Sequence, residues 1–290
     1  MDAVLHQVLA GLATGGIYAS LALALVMIYK ATHLVNFAQG EMAMFSTYLA
    51  WTMLDAGIGY WPTFFLTVLL AFVLGVVIER LVIRPVEHAP VFAIVVVFIA
   101  LLLILNSVAG WIYSYTLKSF PSPFPQKPPF GLRYLSAHEL GAIGVTLVVL
   151  AALYAFFRFT PLGLAMRAVA QNPESSRLVG IRVGWMLALG WGLASAVGAV
   201  AGMMVAPIVY LDPNMMSGIL LYAFAAAVLG GIDNPGGAVV GGFVVGVLEN
   251  VLGAFVIGNE LKLSVALVLI IGVLIVWPSG LFGKVHVRRV

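Results

Sequence analysis

Residues 158–183 read RFTPLGLAMRAVAQNPESSRLVGIRV. Four of the chain's arginines, Arg158, Arg167, Arg177 and Arg182, fall in this one stretch, and long apolar runs flank it on both sides. Charge gathered between apolar runs belongs outside the lipid, and the runs themselves belong inside it. The alternation predicts an all-α, polytopic transmembrane helix bundle.

The stretch has its own grammar. Leu162 to Gln171 mixes Leu, Ala, Met and Arg without proline, a helix-forming composition. Asn172 suits an N-cap and Pro173 the first helical position, while Glu174 complements the positive helix start. Gly180 can close the far end in a left-handed cap. Residues 173–179 therefore read as a compact helix of about two turns. Two roles fit: a docking knob for a cytoplasmic partner, or a basic anchor on the inner side of the membrane with incidental helicity.

Composition agrees with the membrane reading. The 290 residues are 63% hydrophobic and only 9% charged, and the mean hydropathy is +1.12. A soluble domain would carry roughly a quarter charged residues. The net charge of +3 comes from basic residues spread over short loops. That spread suits membrane orientation and gives no patch for nucleic acid. With no cysteine, disulfide and thiolate chemistry are excluded. The start MDAVLHQ lacks a basic n-region and its apolar run is long, so it reads as a retained first span and not a cleaved signal.

A span needs about 20 apolar residues. Segments near 8–28, 37–54, 62–80, 91–110, 139–157, 185–208, 217–231, 238–257 and 263–277 meet or approach that length, which predicts eight to nine membrane segments. With the N-terminus outside, the cytoplasmic side receives Lys30, Arg80, Arg84, Arg158, Arg167, Arg177, Arg182, Lys284, Arg288 and Arg289, ten of the fourteen basic residues. The outer side receives Lys118, Lys127, Arg133 and Lys262. This bias predicts N-terminus out and C-terminus in. Between the fourth and fifth segments, Pro121, Pro123, Pro125, Pro128 and Pro129 forbid continuous helix and predict an extended or turn-rich outer segment. Trp111, Tyr113 and Tyr115 stand as its interfacial aromatics.

Small residues recur at helical spacing. Gly11, Gly15, Tyr18 and Ala22 form one stripe, and Gly242, Gly246, Glu249 and Gly253 form another; Ser195, Ala199 and Gly202 make a weaker third. Such faces allow close backbone approach. Glu249 lies mid-span on its stripe, and an acid there must be sheltered or face water. It serves either the transport path or an interhelical hydrogen bond. Two breaks stand out: NFAQGE, with Asn36, Gln39 and Glu41, and GGIDNPGG at residues 230–237. Irregular backbone at membrane depth lines protein or a watery cavity; the plain alternatives are a helix cap by Asn36 and a tight cytoplasmic turn.

No G-x-x-x-x-G-K-[ST] stretch exists, so nucleotide hydrolysis is assigned elsewhere. His6, His33, His88, His138 and His286 lack metal-ligand spacing. No catalytic residue and no metal site is predicted.

Four ordered segments now carry a resemblance: the stretch from Gly11 through NFAQGE to Trp51, PLGLAMRAVAQNPESSRLVGIRV, AFAAAVLGGIDNPGGAVVGGFVVGVLEN and WPSGLFGK. In this order they resemble the permease subunit of branched-chain amino acid ABC importers, from Gly11 to Lys284. The resemblance implies a single integral-membrane permease domain over 1–290 in a bacterial-type inner membrane. Its coupling loop would lie near 158–184, with Arg167, Asn172, Pro173, Glu174, Arg177, Gly180 and Ile181 seated in a cytoplasmic ATPase. It implies a second related permease, two ATPase subunits that bind ATP and magnesium, and an extracytoplasmic solute-binding protein, with no cofactor on this chain. It also implies that Asn36, Gln39, Glu41 and Glu249 lie near the translocation path. Gln39 departs from the His that many relatives carry, and Ser46-Thr47 from a common Gly-Ala. Related permeases are similar to carriers of amides, urea or aromatic acids, so those cargoes stay open. An ion-coupled carrier or channel using Glu249 is the rival of a different class.

Overall fold

A computed structural model describes residues 2–32, 35–125 and 136–283. Lys127, Pro128, Pro129, Arg133, His33, Lys284, His286, Arg288 and Arg289 lie outside the described residues, and with them part of the charge count and the C-terminus. The helices are α1 (Asp2–Thr32), α2 (Gln39–Asp55), α3 (Tyr60–Ile78), α4 (Val91–Tyr113), α5 (Ala137–Phe159), α6 (Pro161–Gln171), α7 (Pro173–Leu178), α8 (Val183–Val209), α9 (Met215–Gly230), α10 (Pro235–Leu252) and α11 (Lys262–Val276). Among the described residues there is no strand, only an isolated antiparallel bridge between Lys118 and Leu211.

Each predicted segment coincides with a helix, and the described part of the proline-rich segment is non-helical. Among the described residues, six helical stretches are long and apolar enough to cross a membrane: Ala3–Lys30, Tyr60–Val86, Val91–Tyr113, Ala137–Phe159, Val183–Val209 and Pro235–Ile257. α9 and α11 are apolar but shorter, and α2 has 17 residues. Two spans run past their regular helix, because α3 continues through a π-helical turn, Glu79–Ile83, into a 3-10 turn, Arg84–Val86, and α10 through a π turn, Gly253–Ile257. Proline at 85 explains the first tightening. The first helix starts six residues before the predicted 8, since the polar start of MDAVLHQ extends the helix instead of preceding it.

The chain divides into two compact units. One comprises Met1–Val26, Phe124–Thr146 and Gly218–Val290; the other comprises Met27–Pro123 and Leu147–Ser217.

In the first unit the two predicted glycine stripes meet each other. A Cβ on Gly11 would stand 2.6 Å from Val247 Cα, one on Gly15 2.8 Å from Phe243 Cα, and one on Gly242 2.5 Å from Ala19 Cα. Missing side chains thus let α1 and α10 touch backbone to backbone, the mode that drives helix association where lipid removes the hydrophobic force. Ser20 Oγ donates to Thr146 Oγ1 at 3.3 Å and ties α5 to α1. The GGIDNPGG break is a short turn: Asn234 caps α10 by accepting from Gly236 N (3.1 Å) and Gly237 N (3.2 Å). Its amide donates to Phe282 O at 3.0 Å, while Leu281 N and Phe282 N donate to Leu229 O and Gly230 O at 2.8 and 3.2 Å. The third and fourth segments of the sequence resemblance are therefore bonded together.

In the second unit α8 is the centre. It is buried almost continuously from Gly190 to Ala206, as its Gly/Ala-rich face requires. A Cβ on Gly75 of α3 would meet Trp191 O at 2.5 Å, and one on Gly202 would meet Ala43 O of α2 at 2.9 Å. Phe98 of α4 stacks on Trp191 at 5.9 Å. Outer faces of α3 and α4 keep large apolar side chains exposed, among them Phe65, Leu69, Phe92 and Leu103. Such faces suit hydrocarbon and not water.

Candidate functional site

The arginine-rich stretch folds as a doubly capped elbow. Thr160 ends α5 and starts α6: its Oγ1 accepts from Gly163 N at 3.0 Å, and Pro161 takes the first position. A Cβ on Gly163 would overlap Phe156 O, so α6 turns back tightly on the end of α5. Asn172 then serves two helices. Its N–H donates to Ala168 O at 3.0 Å, closing α6, and its Oδ1 accepts from Ser175 N at 2.9 Å, opening α7. Ser176 is the buried residue of α7, and its hydroxyl donates to Asn172 O at 2.8 Å.

The far end is a complete Schellman closure. Ile181 N donates to Ser176 O at 3.0 Å, Gly180 N donates to Arg177 O at 3.1 Å, and Gly180 has φ +84°. Glu174 occupies the first turn and Arg177 the last, each favourable against the helix dipole. A six-residue helix alone would not hold in water; these caps hold it. What it presents is exposed: Leu178 is 88% and Val179 76% accessible. Two bare aliphatic residues directly after Arg177, on a rigid turn, form a surface suited to a protein partner.

All seven residues predicted for this surface, Arg167, Asn172, Pro173, Glu174, Arg177, Gly180 and Ile181, lie on the one elbow. The start of α6 was legible in Thr160-Pro161, the same capping pair as Asn172-Pro173 and Asn234-Pro235, but the sequence reading began that helix at Leu162.

Asn36, Gln39 and Glu41 also belong to the second unit and are buried. Asn36 does not cap α2; that position is Ala38. Its Oδ1 accepts from Ala38 N at 3.0 Å, making a turn one step earlier, because the chain must bend before it can enter the helix. Gln39 Nε2 donates to Ala194 O of α8 at 3.0 Å. Glu41 meets a residue that the sequence reading passed over: Asn106 Nδ2 stands 3.4 Å from Glu41 Oε2, 2.8 Å from Pro213 O and 3.2 Å from Asn214 Oδ1. A lone Asn within an otherwise apolar span was the available signal.

Glu249 belongs to the first unit. Tyr18 Oη donates to its Oε2 at 2.6 Å, and Tyr222 stacks on Tyr18 at 4.9 Å. Asn250 Nδ2 donates to Thr14 Oγ1 at 2.9 Å on the same pair of helices. Glu249→Gln keeps an acceptor for Tyr18 and is expected to cost about 1 kcal/mol or less, whereas Glu249→Leu strands the phenol and should cost about 1–3 kcal/mol. Thermal melting of the two purified variants checks this; equal melting would mean that the contact contributes nothing. Among the described residues no three His, Asp or Glu gather as a metal site.

Several helices of membrane-spanning length and one capped elbow give the chain the architecture of a multi-pass membrane protein. Residues 7–274 match the family model described as branched-chain amino acid transport system / permease component, and the chain belongs to that family. It is 29% identical to the high-affinity branched-chain amino acid transport system permease protein LivH of Escherichia coli K12, covering 99% of this chain and 97% of that one. It is 30% identical to the corresponding permease protein BraD of Pseudomonas aeruginosa over 99% and 98% of the two chains, and 30% identical to the probable LivH of Methanocaldococcus jannaschii over 91% and 87%. The protein is thus a multi-pass transport subunit of the ABC importer type and not an enzyme; ATP is hydrolysed by separate subunits.

Proposed function

We propose that this chain forms half of a transmembrane path for branched-chain or related amino acids and passes to it the work of ATP hydrolysis through the elbow at 158–184. The observation that carries the reading is α7, held at both ends by hydrogen bonds while Leu178 and Val179 stay bare. A cap-locked helix transmits a push as rigid-body motion, and a partner that binds its two positions unequally shifts the equilibrium between outward and inward openings. Its partners are a second related permease, two cytoplasmic ATPases that hold ATP and magnesium, and an extracytoplasmic solute-binding protein. In this reading the chain has eight to nine segments in the inner membrane and crosses it an odd number of times, with its N-terminus outside and its C-terminus in the cytoplasm. Asn36, Gln39, Glu41 and Glu249 lie near the path, and amides, urea or aromatic acids are the alternative cargo.

Because the chain has no cysteine, Arg177→Cys supplies a single labelling site. An impermeant maleimide is expected to miss it in intact cells and to modify it in inside-out vesicles. Labelling from outside would overturn the topology and the coupling role together. Uptake by reconstituted complex should require ATP; uptake by the chain alone on an ion gradient would favour a secondary carrier.

A further inference from the structure

Where α3 ends and α8 begins, three arginines gather around one tryptophan. The Arg80 guanidinium lies 3.9 Å from the centre of the Trp185 ring. Arg84 lies beside Gly184, where a Cβ would come 2.6 Å from its Nη2. Arg182 is the N-cap residue of α8 and gives it no side-chain cap. Two acids are near: Glu79, whose Oε2 is 3.7 Å from Arg80 Nε, and Glu87, which pairs with His88 at 3.4 Å.

The 3.7 Å separation is too long for a hydrogen bond. Arg80 Nε and Nη2 are accordingly buried without a hydrogen-bond partner among the described residues, as is Glu79 Oε2. Buried guanidinium N–H groups without an acceptor are costly. Cations at the start of α8 also oppose its dipole, which favours an anion at that end. Both features ask for the same thing, an oxyanion with several acceptor atoms.

The surroundings choose its source. Val73 and Val77 on α3 and Leu81 in the π turn that continues it follow one another at four-residue spacing, apolar and exposed, up to the level of Arg80. Trp185 also forms one wall of a groove of about 480 Å³ with Ala165, Ile181, Arg182, Met186 and Leu189. Arg182 is the charged residue of that lining. Free phosphate has no use for such walls, whereas a lipid tail does.

We propose that this corner of the second unit binds an acidic phospholipid. Arg80, Arg84 and Arg182 take the phosphate oxygens, Trp185 holds the Arg80 guanidinium flat, and an acyl chain lies in the groove. Basic pockets between spans at the membrane surface recognise anionic headgroups by this combination of charge and fork geometry.

The full chain, purified with the subunits that accompany it, is to be equilibrated with phosphatidylcholine carrying a minor fraction of phosphatidylglycerol. Retained lipid is then read by native mass spectrometry. Wild type is expected to hold phosphatidylglycerol about tenfold over phosphatidylcholine, and Arg80→Gln or Arg182→Gln to lower that preference about fivefold each. Arg80→Lys should fall between, since charge remains and the fork is lost. Arg158→Gln, at the end of α5, is the charge-matched control and should change nothing. Arg182 is exposed, so its replacement tests the site without threatening the fold. Equal retention of the two lipids, or arginine variants no different from Arg158→Gln, would overturn the proposal. Displacement by excess inorganic phosphate would assign the site to a free anion instead, and lipid retention only after the ATPase subunits are stripped would assign it to an acidic segment of that partner.

Discussion

Gly180→Val should cut ATP-linked solute uptake by roughly tenfold, within the range that loss of a 1–3 kcal/mol coupling gives, while leaving the protein in the membrane at normal level. Nothing lies within 4 Å of where a Cβ at 180 would stand, so the effect is not steric crowding. It comes from the backbone. At φ +84° a β-branched residue is held where it costs about 1–3 kcal/mol. A six-residue helix has little with which to oppose that. The chain relaxes by giving up the bonds from Gly180 N to Arg177 O and from Ile181 N to Ser176 O, and Leu178 and Val179 lose their fixed position.

Gly180→Asn separates this account from a general sensitivity of the loop. Asparagine tolerates the left-handed region better than any other residue with a side chain, so it should restore most of the uptake that valine removes. The readouts are uptake into proteoliposomes of the complete complex and ATP hydrolysis by the same preparation. Uncoupling predicts hydrolysis that persists while uptake falls. Unchanged uptake in Gly180→Val would remove α7 from the coupling path.

This prediction could be written from sequence because caps are local. Asn172, Pro173 and Gly180 act on neighbours within four positions, and their chemistry dictates their geometry. Periodicity was equally legible: the spacing of Gly11 and Gly15, and of Gly242 and Gly246, named two close-packing faces. What spacing alone could not say is that these faces pack on each other, because a face carries no address for its partner. Asn106 shows the same limit for polar groups. Its isolation in α4 announces a need for acceptors, but Glu41 lies 65 positions away and Pro213 lies 107 away. The return of Leu281 and Phe282 onto the end of α9 was hidden for another reason: backbone pairing leaves almost no mark on side-chain identity. The bounds expected at α2, α9 and α11 lie within two residues of the helices themselves.

Gly246→Leu should destroy the first unit. A Cβ at 246 would overlap Gly11 O and the N and Cα of Gly15, which are main-chain atoms that no rotamer can move. Overpacking against side chains costs about 1–3 kcal/mol; against backbone the only relief is for α1 and α10 to part. Parting them breaks the contact of Tyr18 with Glu249 and that of Asn250 with Thr14, adding about 1 kcal/mol for each hydrogen bond. The sum, at least about 3 kcal/mol, is a large share of the stability of an ordinary domain. A Cβ at Gly144 meets nothing within 4 Å, so Gly144→Leu adds equal bulk and equal hydropathy without the clash against main chain. Thermal unfolding in one detergent, followed by gel filtration, compares the two variants directly. Gly246→Ala should fall between them, because one carbon already reaches the opposing backbone. If Gly246→Leu melts with Gly144→Leu and wild type, α1 and α10 do not meet along their glycines, and the stripes at both positions require a different partner.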